Sequence, residues 1–497
     1  MREFDAFALP ADRGVGVWPP SGPGSDPVGG LERAERGSDL DGALERLDVA
    51  PEFSIRFPVA SPELLGELSA ALRAAGNALS GRQVAEIIEA LGRVGERFLD
   101  DGDEMRREAL ELLPASAGFS PEMAEAVLDG MAADWTRARL SQLVAAEFAD
   151  PGALDHIVVS DGPADPRSLM AFGPRLCVQV VAGSVPGVGV SALLRSLLVK
   201  GPTLIKPGLG DVVLTVLFAN ALRREDPALA DAVGVLYWPG GSTTVEQAAM
   251  ADADVVVAYG SDETVATLRS AAPATAHFAA YHHRVGVAVI GRRAFEEAAP
   301  EGLGHVAREA ARAIAMFEHR GCVCPHVVYV EEGGATSPVE FAEKVAAALS
   351  ELEVELPSVA LDAAEAAGLQ QARGTAELHA ASGVARLMSE RAAASWTVLY
   401  EEDPVPVPPM AGRSVRVRPI RDASELPAAL EPIGGHLQTV GYAGLGDRAA
   451  KLAARLGSVG VSRVVPLRDV SFPPPWWLHD GRGPLTQLVR WVELEQE

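Results

Sequence analysis

From Arg175 onward the chain alternates short apolar runs with helical stretches, and this alternation constrains the fold more than any other feature of the sequence. "LCVQVVA" reads as a buried strand, "VSALLRSLLVK" as a helix, "TLIK" as a strand and "DVVLTVLFANALRRE" as a helix. "GVLYW", "TTVEQAAM", "DADVVVAYG" and "SDETVATLRSA" repeat the pattern. Apolar runs of this length, each followed by a helix, imply a parallel sheet covered on both faces. After "GVAVIG" at 286–291, a helix predicted over 303–318 puts Val306, Ala310, Ala313, Ile314 and Phe317 on one face. A cysteine-bearing loop and the strand "HVVYVE" follow, so a second α/β unit begins there. "PVEFAEKVAAALSEL" continues it as a helix, and "RSVRVRPI" as a strand with basic residues at alternate positions.

A chain of 497 residues is too long for one ordinary core and calls for two or three domains. Residues 10–40 are crowded with Gly, Pro, Ser and Asp and read as a flexible arm. Between 61 and 147 two segments open with Ser-Pro-Glu, which suits an N-cap, proline at the first helical position and an acidic first turn, so a helical layer is expected. A net charge of −25 repels phosphate backbones and anionic lipid, which argues against nucleic acid as a partner. No uninterrupted apolar stretch of about 18 residues appears, and the first residues lack a basic segment followed by an apolar one. No membrane span is expected, and the cytoplasm is the expected location. Three cysteines, Cys177, Cys322 and Cys324, cannot build a disulfide framework.

The segment "FEHRGCVCPHVVYVEEGG" admits three readings. As a metal clip, Cys322, Cys324 and His326 would need His282 or His283 as a fourth ligand, and thiolates two residues apart do not match common zinc spacing. As packing residues, both cysteines would be small buried hydrophobes. As a nucleophile, Cys322 would follow Gly321, which permits close backbone approach, with His319 and Arg320 nearby to favour the thiolate.

"GCVCPHVVYVEE" after an Ala-rich helix resembles the nucleophile segment of the aldehyde dehydrogenase superfamily. Cys, a short residue, a small residue and Pro is the pattern of its long-chain acyl-CoA reductases, which include the reductase of bacterial luminescence systems. "HLQTVGYAG" and "ARLGSVGVSRVVPLRDVSFPPPWWLHDGRGPLTQLVRWVELE" are similar to that family's end, and the similarity runs over roughly residues 165 to 495. The resemblance implies an aldehyde dehydrogenase-like α/β fold, with a doubly wound cofactor domain and a second α/β catalytic domain. Its expected layout is an arm over 1–50, a helical layer and nicotinamide-cofactor domain over 51–291, and a catalytic domain over 292–470. A C-terminal segment over 471–497 is expected to serve as an oligomerisation strand.

The same resemblance makes Cys322 the nucleophile and no metal site is expected. It places Lys206 at the adenosine ribose, where an ammonium suits the 2′-phosphate of NADPH, with NADH as an alternative. The acidic residue that many NAD-preferring relatives carry three positions later is Leu209 here. There is no Gly-x-Gly-x-x-Gly fingerprint. Gly240, and Gly260 with Ser261 at a helix start, are candidates for the cofactor's phosphates, the alternative being ordinary turns with Ser261 as N-cap. Glu402, beside Glu401, is the candidate for the nicotinamide ribose. Ser184 falls where the superfamily offers an Asn side chain to the oxyanion. Between Glu263 and Glu296 no carboxylate stands in place of the hydrolytic base, and His282, His283 and Arg284 lie there. His283 is the preferred acid, and the CoA phosphates are the other role for this trio. The implied reaction is reduction of a fatty acyl-CoA, or a carrier-protein-bound acyl thioester, to an aldehyde through acyl-Cys322. An acyl-transferring partner enzyme and a homo-oligomer accompany that reading. The alternatives are a CoA-acylating aldehyde dehydrogenase running oxidatively and a non-catalytic scaffold.

Overall fold

The computed structural model describes residues 2–10, 44–160, 167–296, 302–389, 396–403 and 408–495. The chain divides into two compact units. The first comprises Met1–Ala117, Ala132–Tyr281 and Leu485–Glu497, and the second Gly118–Met131 and His282–Pro484.

In the first unit a six-stranded sheet runs, in spatial order, His277–Tyr281, Val255–Tyr259, Cys177–Val180, Thr203–Lys206, Val233–Leu236 and Phe7–Ala8. All neighbours are parallel except the antiparallel Phe7–Ala8 edge. The order explains the sequence texture. Val178, Leu204, Val256 and Ala258 are buried among Leu65, Leu68 and Leu72 of the Pro62–Ser80 helix, so these strands carry apolar side chains on both faces rather than alternating. Strand order also reverses beside Cys177–Val180. The chain steps outward through Thr203–Lys206 and Val233–Leu236, then returns to add Val255–Tyr259 on the other side. Such a reversal opens a crevice at the carboxyl ends of the strands.

The helix Val188–Leu198 follows the first of these strands, and its amino end is closed by the protein itself. Asp211, fully buried, accepts from Gly187 N at 2.6 Å and from Gly189 N at 2.5 Å. A side chain on Gly189 would meet Asp211 Oδ2 at 2.7 Å and Thr215 Oγ1 at 2.2 Å, which explains the glycine. The anion slot that a glycine-rich fingerprint would build is therefore filled by a carboxylate.

The second unit carries a seven-stranded sheet in the order Ala385–Ser389, Trp396–Glu401, Arg413–Ile420, Pro325–Glu331, Val285–Ile290, Leu437–Ala443 and Arg463–Pro466. Only the first pair is antiparallel. Val287, Val289, Val327, Tyr329 and Val440 pack beneath Leu426, Leu430, Leu452 and Leu456 to form its core.

Four expectations change. The expected arm over 1–50 has ordered ends: Arg2–Asp5 pairs with Phe53–Pro58, Phe7–Ala8 joins the main sheet, and Leu44–Ala50 forms a hairpin with Phe53–Pro58. Most of its Gly- and Pro-rich part lies outside the described residues. The division falls between Tyr281 and His282 rather than at 291/292, because the Val285–Ile290 strand pairs with Pro325–Glu331 and Leu437–Ala443. The expected 471–497 segment is split at Pro484/Leu485. Its final strand, Arg490–Leu494, pairs antiparallel with Arg167–Phe172 of the first unit, as the edge of a three-stranded sheet. Finally, the helix predicted to reach 318 ends at Ala315, for a reason given below.

Burial raises the Asp211 pKa from 3.8 to about 7. A carboxyl whose folded value lies above its unfolded one contributes stability that is complete below the unfolded pKa and is lost as pH rises through the folded one. Asp211→Asn is therefore expected to shrink the difference between thermal unfolding midpoints at about pH 5 and about pH 8.

Candidate active site

The helix Gly302–Ala315 stops in three consecutive left-handed residues, Phe317 (φ 58°), Glu318 (φ 52°) and His319 (φ 64°). For L-residues this region costs roughly 1–2 kcal/mol each, so the turn needs an outside anchor. Glu318 supplies it. Arg413 donates to Glu318 through Nε at 3.1 Å and Nη2 at 2.6 Å, with both side chains almost wholly buried. Arg413 also donates to the Leu356 and Pro357 carbonyls, at 2.5 and 3.2 Å. The turn reverses the chain into the loop that carries Cys322 and then into Pro325–Glu331. Two glycines admit this loop. A Cβ on Gly321 would lie 2.8 Å from Phe317 Cδ2 and 3.2 Å from Cys324 Sγ. One on Gly286 would strike the Val323 and Cys324 carbonyls at 2.5 and 2.6 Å.

The two cysteines part company here. Cys324 is fully buried and its thiol donates to the Met316 carbonyl at 3.4 Å, while burial pushes its pKa far up. Cys322 is half-buried and lies among polar groups. Burial, reinforced by the Asp480 carboxylate, raises its pKa to about 11; the Gln438 amide, the Cys322 backbone N–H and the Arg463 guanidinium pull the other way. At neutral pH it rests as the thiol.

These partners converge because four neighbouring strands begin at the same edge. Arg284 precedes Val285–Ile290, Cys322 precedes Pro325–Glu331, Gln438 is the second residue of Leu437–Ala443 and Arg463 opens Arg463–Pro466. Asp480 arrives from the "WWLHDGR" turn, where it (φ 52°) and Gly481 (φ 75°) are both left-handed. Arg284 donates to Asp480 Oδ2 through Nε at 3.0 Å and Nη2 at 2.9 Å, and Gln438 Nε2 donates to Asp480 Oδ1 at 2.9 Å. Arg463 lies 5.7 Å over the Trp477 ring, and burial lowers its pKa to about 10.

Several sequence assignments move accordingly. His319 is buried between carbonyls, its ring nitrogens 2.9 Å from Gly412 O and 3.2 Å from Pro325 O, and burial lowers its pKa to about 4. It is neutral, and Arg463 rather than His319 or Arg320 is the cation acting on Cys322. His283 is exposed, its carbonyl 3.4 Å from His436 Nδ1. Arg284 is tied to Asp480 instead of being open to phosphate. Glu402 is exposed, whereas Glu401 is held by Arg416 and Arg418, each at 2.7 Å. Among the described residues no group of three His, Cys, Asp or Glu is placed to hold a metal ion. Gln438, Asp480 and Arg463 had no assigned role, although "HLQT", "GVSR" and "HDGR" each stood out in the sequence.

In the first unit, Lys206 closes the strand Thr203–Lys206, and Ser184, Gly240, Gly260 and Ser261 follow the carboxyl ends of parallel strands. Lys206 is half-buried, its ammonium 5.7 Å over the Tyr237 ring. Burial lowers its pKa, opposed by Glu246. Glu246 accepts from Trp238 Nε1 at 3.3 Å, while its Oε2 is buried without a hydrogen-bond partner. Gly240 and Gly241 border open space. Ser261 caps the Asp262–Ala271 helix, accepting from Thr264 N at 3.2 Å. Ser184 is exposed on the loop after Cys177–Val180.

The fold is that of the aldehyde dehydrogenases. It matches aldehyde dehydrogenase 21 from Physcomitrella patens, solved with succinate, with TM-score 0.71, 13% identity and coverage of 91% of this chain and 95% of that one. A benzaldehyde dehydrogenase from Corynebacterium glutamicum gives 0.68, 15%, 91% and 95%. Within that fold the chain belongs to the acyl-CoA reductase (LuxC) family, whose model matches residues 79–491. The long-chain acyl-protein thioester reductase of Vibrio harveyi is 22% identical over 427 residues, 84% of each chain. That of Aliivibrio fischeri is 27% identical over 254 residues, and that of Photorhabdus laumondii 25% over 252. The latter two matches span about half of the relatives' length, 50% and 49%.

Removing one partner of a buried ion pair typically costs about 3–5 kcal/mol. Arg413→Met is expected to destabilise the protein by that order in denaturant unfolding and to slow alkylation of Cys322. Arg413→Met with Glu318→Leu should recover much of the stability without restoring the alkylation rate, since no anchor holds the left-handed turn.

Proposed function

We propose that the protein reduces a fatty acyl thioester, carried on CoA or on a carrier protein, to an aldehyde through a covalent acyl-Cys322 intermediate. The observation that carries this reading is Cys322 itself, half-buried at the amino ends of four strands beside Gln438 and Arg463, while Cys324 is sealed in the core. Family membership supports the thioester chemistry, as do the acyl-protein thioester reductases to which the chain is similar.

The Cys322 sulfur gives up its proton and bonds to the acyl carbon, and the carbonyl π pair moves to oxygen. When that pair returns, the carbon–sulfur bond to the carrier breaks and the carrier thiolate takes a proton. A reduced nicotinamide cofactor would supply two electrons and a hydrogen to the acyl-enzyme carbon. Return of the oxygen's electron pair then releases the aldehyde and the Cys322 thiolate. Among the described groups that act on Cys322, the one carboxylate is poorly placed to activate water. The Asp480 carboxylate is committed to Arg284 and Gln438, and no acid lies between Glu263 and Glu296.

The first unit's residues fit such a cofactor. Lys206 offers an ammonium, the orphaned Glu246 Oε2 an acceptor for a ribose hydroxyl, and the open Gly240 edge room beside them. Lys206, with Leu209 in place of an acid, favours NADPH. Glu246 sets a carboxylate against the 2′-phosphate and moderates that preference, so that NADH is also accepted.

Two experiments test this reading. With acyl-CoA alone, intact mass should show one acyl group on Cys322, persisting for minutes with little free acid. Cys322→Ser should abolish both the adduct and aldehyde formation, and Cys324→Ser should keep much of the activity. An adduct elsewhere, or none, defeats the mechanism and leaves the scaffold reading. In cofactor titrations followed by fluorescence, Lys206→Ala should weaken NADPH more than NADH, and Glu246→Gln should strengthen NADPH relative to NADH. Unchanged ratios in both variants would remove these residues from cofactor selection.

A further inference from the structure

We propose that the Gln438 side-chain amide is the hydrogen-bond donor to the reacting sulfur and the developing oxyanion at Cys322, held nitrogen-first by the Asp480–Arg284 pair. This rests on the acyl-Cys322 reading above and gives Gln438 the role that the sequence suggested for Ser184.

An ionised carboxylate only accepts, so the end of the Gln438 amide that meets Asp480 Oδ1 at 2.9 Å must be its nitrogen. Arg284 occupies Oδ2 with two donors, at 3.0 and 2.9 Å, and thereby fixes the carboxylate and leaves Oδ1 for the amide. The cost of this arrangement is visible: Gln438 Oε1 is buried with no partner. Turning the amide over would set that oxygen against a carboxylate, so the orphan follows from holding the nitrogen toward Asp480. The nitrogen carries two hydrogens. Asp480 takes one, and the second is left for the Cys322 side of the edge, where the amide favours ionisation of the thiol.

Position favours Gln438 over Ser184 as well. Gln438 is fully buried within a strand paired on both sides, whereas Ser184 is an exposed loop hydroxyl. A donor fixed before reaction needs no reorganisation when charge appears. The left-handed Asp480 fits the same design, because strained backbone persists where its surroundings hold it. During attack, the sulfur–carbon bond forms as the carbonyl pair moves to oxygen, and the Gln438 N–H passes from thiolate to oxyanion. Asp480 acts through Gln438 as a positioning residue.

The test measures iodoacetamide alkylation of Cys322 against pH in the full chain, with kcat and KM for tetradecanoyl-CoA reduction. The charged groups facing the thiol are Asp480 and Arg463, with Cys324 beside it. Gln438→Leu should slow alkylation at fixed pH by about tenfold, one pKa unit's worth of thiolate. It should lower kcat by about 10²–10³ with little change in KM. Gln438→Glu, of the same shape without donors, should be as slow or slower, and it carries the test alone if the leucine variant does not fold. Asp480→Asn should separate the readouts. Loss of the carboxylate charge speeds alkylation, while loss of the amide's anchor lowers kcat. A merely structural role would depress both. If wild type forms acyl-Cys322 and the folded Gln438 variants keep alkylation and kcat within twofold, this inference is overturned and the proposed function stands. If wild type forms no acyl-Cys322, the proposed function fails first.

Discussion

The buried pair between Glu318 and Arg413 is the interaction on which the reactive loop depends. Three left-handed residues in succession would not persist in an isolated peptide, since each is disfavoured by contact between its side chain and its own backbone. Glu318 is the middle one, so an anchor on its carboxylate holds the whole turn. Arg413 is in turn fixed by two carbonyls, which makes it a rigid post rather than a mobile countercharge. Burying two charges is costly, and such pairs seldom add net stability over apolar replacements. What this pair adds is direction. It converts the end of an amphipathic helix into a reversal that presents Cys322 at the sheet edge and turns Cys324 inward to the Met316 carbonyl.

The two units use opposite ends of their strands. In the first, the candidate cofactor residues close or follow the carboxyl ends, where the reversal in strand order opens a crevice. In the second, the reactive groups precede or open the strands. Parallel neighbours that begin at the same edge bring Arg284, Cys322, Gln438 and Arg463 together although they span 180 positions of sequence. Gly286 is the joint that makes this edge usable, because any side chain there would collide with the backbone of the cysteine loop.

The alternation of apolar runs and helices made both sheets legible, because a parallel strand buried on two faces has no other sequence texture. Cys322 was legible from its distance to the strand "VYVE" and from the Pro that follows three residues later. The partners of Cys322 were not. Gln438 and Asp480 lie 116 and 158 residues downstream, and neither hydrophobic period nor capping chemistry reports which strand will be its neighbour. The left-handed turn was hidden for a different reason. "AIAMFEH" has good helical period through Phe317, and only the distant Arg413 overrides it. Asp211 was equally silent, since an Asp just before a helix reads as that helix's own cap, whereas here it closes the preceding one.

The electrostatics around Cys322 bear on why a site of this kind would transfer an acyl group rather than hydrolyse it. A nucleophile is commonly activated by an adjacent base or a strong cation, and here burial and Asp480 oppose ionisation while Gln438 and Arg463 only partly offset them. On the proposed reading the thiol stays protonated until an acyl donor arrives, and it is a poor target for oxidants in the meantime. Asp480 raises the thiol's pKa through its negative charge, and Arg284 pairs with that carboxylate. The same pairing occupies the lone pairs that would otherwise draw a proton from water. On the same reading one carboxylate restrains the thiol in the resting state and, by orienting Gln438, aids it once charge moves to the carbonyl oxygen. On the proposed reading, slow hydrolysis of the acyl-enzyme and the held amide are two consequences of the same ion pair.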